Sequence, residues 1–338
     1  MGDQQIARVT NIDPPGRNGR AYVAPLNAVL RPSDAPKFSA VDIFCGAGGL
    51  SLGFRARGFA VSGLDSDPVA VETYNANVGE AVVSTLQEGS IVPRADMLLA
   101  GPPCQPWSRA GTRLGEADHR EGLCVTASIM ERMKPRALVV ENVPELARGS
   151  GRRYLDAFVS RIEASGYSVF EQELNAADFG VPQSRRRVFV VAIRRRTFEF
   201  PHPLPRRISA GRAIGRTARK AICGPRWLTP AMEVYVSRYE QASKCKHPRD
   251  LHLDRPSRTL TVRNLVGATG DMVRVQLDNG RRRRLTVHEA ARLQSFPDWF
   301  KFAGSQNKQL EQIGNAVPPL LSYHIADALL AVLQGRRI

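Results

Sequence analysis

The stretch Phe38-Ser39-Ala40-Val41-Asp42-Ile43-Phe44-Cys45-Gly46-Ala47-Gly48-Gly49 decides the fold class. It is a short apolar run that ends in a glycine-rich turn, and the apolar helical stretch Leu50–Arg57 follows it. A second apolar run, Ala60–Leu64, ends in Asp65. A strand, a glycine turn, a helix and another strand in this order indicate one repeat of an α/β fold.

The same alternation continues along the chain as far as Ile193. Short apolar runs predict further strands at residues 97–100, 137–140, 167–174 and 187–193. Helices are predicted at residues 69–78, 122–133 and 154–165. The fold class expected from this pattern is α/β, with a doubly wound, mostly parallel sheet whose ligands bind beyond the carboxyl ends of the strands.

The alternating pattern stops after Ile193, and helical patterns return at Val287–Gln294 and Pro318–Leu333. Between them lies a segment that is rich in Arg, Pro and Gly and has no clean period, which indicates a small, loop-rich second domain. The predicted organisation is an N-terminal mobile arm (1–36), the first part of the sheet domain (37–193), the basic domain (194–284) and a return to the sheet domain (285–338).

The composition is that of an ordinary globular protein, with 43% hydrophobic and 24% charged residues among 338. No apolar run approaches the length of a membrane span, and the N-terminus lacks the pattern of a secretory signal, so a cytoplasmic protein is expected. The five cysteines have no C-x-x-C spacing and the six histidines do not cluster. We therefore expect neither a disulfide framework nor a metal site.

The positive charge is concentrated in one segment of the chain. The formal net charge is +16, and residues 194–284 hold 22 Lys and Arg against seven Asp and Glu. Nearly all of the excess therefore lies in the predicted second domain. A patch of this kind favours a polyanionic partner such as nucleic acid, although a solvated face in an arginine-rich protein is the alternative.

The glycine turn after the first strand is suited to a nucleotide-like ligand. Glycine lets the backbone approach a ligand closely, and Asp65 follows about 20 residues on, at the position that binds ribose hydroxyls in nucleotide-binding sheets. The pattern G-x-G-G is neither the dinucleotide fingerprint nor a phosphate loop. An adenosyl cofactor without a pyrophosphate therefore fits better than NAD or ATP.

A candidate nucleophile lies in Gly101-Pro102-Pro103-Cys104-Gln105-Pro106-Trp107-Ser108. Two prolines restrict the backbone just before Cys104, at the end of a predicted strand. The thiol would then have a fixed position at the ligand-binding edge of the sheet. The alternative is a buried structural cysteine, which is the interpretation for Cys45, Cys124, Cys223 and Cys245.

Several motifs in this order resemble those of the DNA (cytosine-5)-methyltransferases. They are the Phe44–Gly49 turn, Pro103-Cys104-Gln105, Glu141-Asn142-Val143, Gln183-Ser184-Arg185-Arg186-Arg187 and Gly314-Asn315-Ala316-Val317. A loop containing Gly111, Gly115, Asp118, Arg120 and Leu123 resembles the family's mobile catalytic loop. The resemblance covers about Phe38–Ile193 and Leu285–Leu333, and the basic segment occupies the place of the family's target recognition domain.

The resemblance implies S-adenosyl-L-methionine as cofactor and a covalent mechanism. Cys104 would add to C6 of cytosine, so that C5 can attack the methyl group. Glu141 would act at N3 and Arg187 at O2, with Arg185 nearby. The implied cofactor contacts are Phe44, Cys45, Gly46, Ala47, Gly48, Gly49, Asp65, Ser66, Pro103, Leu123, Asn315 and Val317. Some members have an aromatic residue at the position of Ser66 and an acidic one near Ser84 and Thr85, which leaves the adenine contacts open.

A stacked base hides C5 and C6 from a thiol, so the resemblance also implies base flipping. The loop Ser108–Glu121 would close over the base, with Ser108, Arg109, Arg113 and Arg120 as DNA contacts. In the basic segment, Arg258, Arg263 and Asn264 are candidate readers of the major groove or contacts to the backbone. Arg281–Arg284 is expected to be a phosphate contact or a solvated turn.

The leading hypothesis is a bacterial-type enzyme that methylates a specific short sequence of double-stranded DNA. It would be a monomer that acts either as the modification half of a restriction system, linked functionally but not physically to a cognate endonuclease, or as an orphan enzyme. The alternatives are the tRNA-methylating branch of the same family, whose Cys-Phe-Thr tripeptide is missing from this sequence, and a catalytically silent DNA-binding module. A generic nucleotide-binding oxidoreductase would explain none of the later motifs.

Overall fold

The computed structural model describes residues 20–103, 122–215, 226–242, 249–267 and 270–335. The chain divides into two units. The sheet unit comprises Leu30–Asn175, Arg186–Pro203 and residues 321–335. The arginine-rich unit comprises the described parts of residues 20–29, Ala176–Arg185 and Leu204–Leu320. These limits differ from the predicted ones, because Ala176–Arg185 and most of the predicted C-terminal return belong to the arginine-rich unit.

The sheet unit contains a seven-stranded sheet. Its strands are β1 (Phe38–Ile43), β2 (Phe59–Asp65), β3 (Ala81–Val83), β4 (Met97–Ala100), β5 (Ala137–Asn142), β6 (Tyr167–Asn175) and β8 (Arg186–Arg194). Their order in the sheet is β3-β2-β1-β4-β5-β8-β6. Strand β8 is antiparallel to both of its neighbours, and all other pairs are parallel. The doubly wound, mostly parallel sheet is therefore confirmed.

Burial explains which strands could be predicted. Strands β4 and β5 are buried along their whole length. The edge strand β3 is only three residues long and exposes Val82 and Val83, so its apolar run was too short to predict a strand. The predicted bounds of the other strands lie within two residues of the observed ones.

Five helices of this part of the fold are α2 (Gly49–Ala56), α3 (Pro68–Asn77), α4 (Gly122–Met133), α5 (Arg152–Ala164) and α11 (Pro319–Leu333). Helix α11 packs against α2 through Tyr323, whose hydroxyl accepts a hydrogen bond from Arg57 at 3.2 Å. Among the described residues, one helical stretch, Gln306–Leu333, is long and apolar enough to cross a membrane. Since 78% of its most apolar window is buried inside the protein, it has the pattern of a core helix.

The arginine-rich unit is more regular than predicted. Its helices are α1 (Arg20–Val29), α6 (Ala210–Ile214), α7 (Pro230–Ala242), α8 (Val262–Val266), α9 (Val287–Leu293) and α10 (Gln306–Asn315). Its short strands are β7 (Gln183–Ser184), β9 (Ser257–Arg258), β10 (Arg274–Gln276) and β11 (Arg282–Arg284). The prediction of a loop-rich domain missed α7, which buries only Val236 completely and therefore has no strong apolar face.

The prediction of a mobile arm is corrected for residues 20–29, which form α1. The side-chain oxygen of Asn27 accepts the backbone N–H of Asp298 at 2.7 Å, and Trp299 Nε1 donates to the Asn27 carbonyl at 3.1 Å. Tyr22 and Leu26 are fully buried.

Several arginines of this unit form ion pairs inside it. Arg274 is completely buried and donates to Asp250 at 2.6 Å and Glu240 at 2.8 Å. Arg283, also completely buried, forms a bidentate pair with Glu289 at 2.8 Å. The prediction of a solvated turn or phosphate contact is corrected for Arg282–Arg284, because these residues form β11 and bond within the unit. Arg281 is exposed, so the prediction stays open for it.

Candidate active site

A buried ion pair lies at the carboxyl end of β5. The side chains of Glu141 and Arg187 are 10% and 12% exposed, and Arg187 Nε lies 2.9 Å from Glu141 Oε1. Strands β5 and β8 are antiparallel neighbours, so the end of one meets the start of the other. The pair brings a carboxylate and a guanidinium together at the edge of the sheet where ligands bind in this class of fold.

Asn142 connects this pair to the end of β4. Its side-chain nitrogen donates to the Pro102 carbonyl at 3.2 Å, and its side-chain oxygen accepts the N–H of Val143 at 2.8 Å. Pro102 is buried, and the exposed Pro103 follows it. The last described residues before Cys104 are therefore held at the same edge of the sheet as Glu141.

The glycine turn follows β1 and is braced by Asp65. One carboxylate oxygen of Asp65 accepts the Gly46 N–H at 2.8 Å, and the other accepts the Asp67 N–H at 2.9 Å. A Cβ at Gly48 would lie 2.8 Å from the Tyr74 ring, so this position requires glycine. A Cβ at Gly46 would meet nothing within 4 Å, so the turn has open space there for a ligand.

Sequence reasoning missed Asp42, which lies beneath this turn. It is buried, and burial is the main cause that raises its pKa to about 7. Ser51 Oγ donates to Asp42 Oδ2 at 2.6 Å, and the Tyr74 hydroxyl donates to Ser51 at 2.8 Å. Asp42 Oδ1 is buried and has no hydrogen-bond partner among the described residues. An aspartate inside an otherwise apolar strand was the available signal.

The other predicted cofactor residues differ in exposure. Burial raises the pKa of the Cys45 thiol well above its usual range, so the thiol stays neutral. Phe44 has a positive φ of 60° and is half-buried, Ser66 is exposed, and Leu123 is buried on α4. Ala47, Gly48 and Gly49 are buried in the turn and the start of α2. In the arginine-rich unit, Asn315 is exposed at the end of α10, whereas Val317 is buried.

The structure gives Arg185 a different place from the one expected. It is 1% exposed, and its guanidinium donates to the carbonyls of Leu260 at 2.7 Å and Gly314 at 3.1 Å. It was expected near the cytosine O2 beside Arg187. Arg185 lies between β7 and β8 and belongs to the arginine-rich unit, whereas Arg187 belongs to the sheet unit. Since the guanidinium of Arg185 binds backbone carbonyls of its own unit, we correct its expected place beside the cytosine O2.

The three candidate DNA readers differ in exposure and in their hydrogen bonds. Arg258 donates to Asp271 at 2.8 Å, and burial lowers its pKa. Asn264 is 3% exposed and completes a capping box with Thr261 at the start of α8. Both polar side chains are therefore used within the unit, which corrects their assignment as readers. Arg263 is exposed on α8 and remains a candidate.

Five predicted site residues lie outside the described residues. They are the candidate nucleophile Cys104 and the loop residues Ser108, Arg109, Arg113 and Arg120.

The chain has a mostly parallel seven-stranded sheet, a glycine turn with open space after β1 and the acidic residue Asp65 at the end of β2. This combination is that of the Rossmann-like methyltransferases. Within that class, the chain belongs to the C-5 cytosine-specific DNA methylase family, whose model matches residues 38–220 and 226–331. It is therefore a DNA cytosine-5 methyltransferase.

Curated relatives agree with this membership. The Type II methyltransferase M.AplI of Arthrospira platensis is 45% identical over 300 residues, which span 88% of this chain and 86% of that protein. The Type II methyltransferase M1.HphI of Haemophilus parahaemolyticus is 34% identical over 331 residues, with 86% of each chain covered. Enzymes of this type belong to restriction-modification systems.

Solved structures confirm the fold. A DNMT2 mutant of Spodoptera frugiperda has a TM-score of 0.67 at 18% identity and covers 86% of this chain and 99% of its own. The Entamoeba histolytica methyltransferase EhMeth has a TM-score of 0.65 at 16% identity and covers 89% and 99%.

Proposed function

We propose that the protein transfers a methyl group from S-adenosyl-L-methionine to C5 of a flipped-out cytosine in one short sequence of double-stranded DNA. The observation that carries this proposal is the buried pair of Glu141 and Arg187 at the end of β5, where the neighbouring Asn142 donates to the Pro102 carbonyl, two residues before Cys104. Two polar groups with fixed positions match the two atoms of cytosine, N3 and O2, where charge develops during attack on C6.

The glycine turn and its surroundings fit the cofactor. The open space at Gly46 admits an adenosyl group, and the carboxylate oxygens of Asp65 can each accept a ribose hydroxyl besides their backbone bonds. Phe44–Gly49, Asp65, Ser66, Pro103, Leu123, Asn315 and Val317 are the proposed contacts. When bound, the cofactor supplies an electrophilic methyl group.

The chemistry at the base follows from the residue types. The Cys104 thiolate forms a bond to C6, and the electron pair of the C5–C6 double bond makes C5 nucleophilic. C5 then forms a bond to the methyl group, whose bond to sulfur breaks and leaves its electron pair on that sulfur. A proton shared between Glu141 and N3, and a hydrogen bond from Arg187 to O2, disperse the charge on the ring. A base then removes the C5 proton, and the returning electron pair expels the Cys104 thiolate.

Recognition of DNA is assigned to two regions. The loop Ser108–Glu121 closes over the flipped base, with Ser108, Arg109, Arg113 and Arg120 reaching the backbone. Arg263, exposed on α8, supplies a guanidinium suited to the O6 and N7 atoms of guanine in the major groove. We also propose that the protein acts in the cytoplasm of a bacterium, and the bacterial origin of the Type II relatives supports this setting. A monomeric enzyme with a functional but no physical link to an endonuclease is part of the same proposal.

Trapping with 5-fluorocytosine tests the covalent step. Fluorine at C5 cannot leave as a proton does, so the enzyme should remain bound to the duplex on a denaturing gel when cofactor is present. The adduct should disappear in Cys104→Ser and persist in Cys124→Ser, since Cys124 lies on α4 and has no assigned role. An adduct that survives Cys104→Ser would exclude Cys104 as the nucleophile.

A further inference from the structure

Arg185 connects separate segments of the arginine-rich unit through one guanidinium group. Its Nη1 donates to the carbonyl of Leu260 at 2.7 Å, and its Nη2 donates to the carbonyl of Gly314 at 3.1 Å. The side chain is 1% exposed, so both bonds form in a place from which water is largely excluded. Bonds from a charged donor in such surroundings are stronger than neutral ones.

The segment around Leu260 is fixed at several atoms. Gln183 Oε1 accepts the Leu260 N–H at 2.8 Å, and Thr259 Oγ1 donates to the Ser184 carbonyl at 2.8 Å. Strands β7 and β9 pair in parallel just before these contacts. Thr259 and Leu260 are therefore held by β7 and by Arg185, which follows it, immediately before the helix α8 that carries Arg263.

The segment around Gly314 is fixed in a similar way. A Cβ at Gly314 would lie 2.6 Å from the backbone nitrogen of Val262, so the end of α10 touches the start of α8 directly. The side chain of Gln294 donates to the carbonyls of Ile313 at 3.1 Å and Ala316 at 2.6 Å. Asn315, the proposed cofactor contact, is thus exposed between residues whose carbonyls are all held by buried side chains.

We propose that Arg185 is a positioning residue that ties two segments together. The first is the recognition segment Ser257–Thr261, which leads into Arg263 on α8, and the second is the cofactor segment Gly314–Val317, which contains Asn315. DNA binding and cofactor binding then depend on the same buried guanidinium. This inference rests on the proposed function, because it takes Arg263 as a DNA contact and Asn315 as a cofactor contact. A lysine cannot replace the planar fork, since one ammonium group does not reach two carbonyls in the same geometry.

Steady-state kinetics of Arg185→Lys in the full-length chain test the inference. The KM for DNA and the KM for S-adenosylmethionine should each rise about tenfold, while kcat at saturation falls by less than about threefold. The matched control is Arg186→Lys, because Arg186 is exposed and its ion pair with Glu173 lies outside both segments. The control should keep the kinetic constants of the parent.

Thr259→Val separates the two sides of the tie. It removes a bond of the recognition segment alone, so the KM for DNA should rise and the KM for cofactor should stay at the parent value. This variant also keeps the inference testable if Arg185→Lys does not fold. A lower kcat with both KM values unchanged in Arg185→Lys would assign Arg185 to the reacting base and contradict the tie, as would a rise in only one KM.

Hydrogen exchange distinguishes failure of this inference from failure of the proposed function. If the parent methylates no DNA, the proposed function fails, but the tie can still be measured without substrate. In Arg185→Lys, backbone amides at 257–261 and at 313–317 should both exchange faster than in Arg186→Lys. Faster exchange in only one of the two segments would overturn the inference.

Discussion

Glu141 and Arg187 face each other across the antiparallel strands β5 and β8, with 2.9 Å between Oε1 and Nε. Both side chains are largely buried, and Arg187 Nη1 also donates to the backbone carbonyl of Arg186 at 2.7 Å. This relationship joins the end of β5 to the last arginine of the motif Gln183–Arg187.

Glu141→Gln should stop the chemistry without preventing DNA binding. Glutamine keeps the shape of glutamate but cannot exchange a proton with N3, so the rate of 5-fluorocytosine trapping should fall about 100-fold or more. Affinity for the duplex should change by less than about threefold. Glu145→Gln is the control, because Glu145 is exposed in the turn that follows β5. Equal trapping rates in both variants would remove Glu141 from the mechanism.

Asp42 should make the stability of the cofactor-free protein depend on pH. Burial raises its pKa from 3.8 to about 7, so the folded state favours the protonated carboxyl more than the unfolded state does. Its contribution to stability is complete below pH 4 and is lost as the pH rises to 7. In Asp42→Asn this contribution is absent. The difference in urea midpoint between parent and variant should therefore change between pH 4 and 7 and stay constant above it; a constant difference throughout would contradict the assignment.

Gly46 and Gly149 provide a matched pair for the cofactor site. Both have a positive φ, 51° and 52°, and a Cβ at either would meet nothing within 4 Å. Alanine should therefore cost each protein a similar stability, about 1 kcal/mol. Only Gly46→Ala should raise the KM for S-adenosylmethionine, by about tenfold, because its methyl group enters the proposed cofactor space. Equal KM values in the two variants would place the cofactor elsewhere.

Arg263→Ala should relax sequence discrimination. Loss of a guanidinium that reads guanine costs about 1–3 kcal/mol at one position of the site, so the preference for the cognate sequence over one with a single base change should shrink about tenfold or more. Arg238→Ala is the control, since Arg238 is also exposed but lies on α7. Competition binding with the two duplexes measures both. Discrimination that is unchanged in Arg263→Ala would exclude Arg263 as a reader.

Ion pairs within the arginine-rich unit reduce the number of arginines that are free to contact phosphates. Arg249, Arg258, Arg274 and Arg282 each lie within 4 Å of an Asp or Glu of the same unit. We therefore expect the salt dependence of DNA binding to report fewer contacts than the 22 Lys and Arg of residues 194–284, with a slope of roughly 0.9 per neutralised phosphate.

Local sequence was sufficient where a strand end and a side chain type coincide. The positions of Asp65 and Glu141 followed from short buried runs with an acidic residue at the end, and these runs are strands as predicted. It was insufficient where the partner is distant in the chain. Arg258 meets Asp271, and Arg185 meets Leu260 and Gly314, and no periodicity reveals such pairs. The edge strand β3 was missed for a different reason, because its three residues are mostly exposed and form only a very short apolar run.

Sequencing of 5-methylcytosine in the DNA of a host that expresses the protein tests the proposed methyl transfer most directly. We expect methylation at C5 of one cytosine in every copy of a single short sequence, and no methylation in a host that expresses Cys104→Ser. Methylation confined to tRNA, methylation at the exocyclic nitrogen, or methylated DNA produced equally by Cys104→Ser would contradict it.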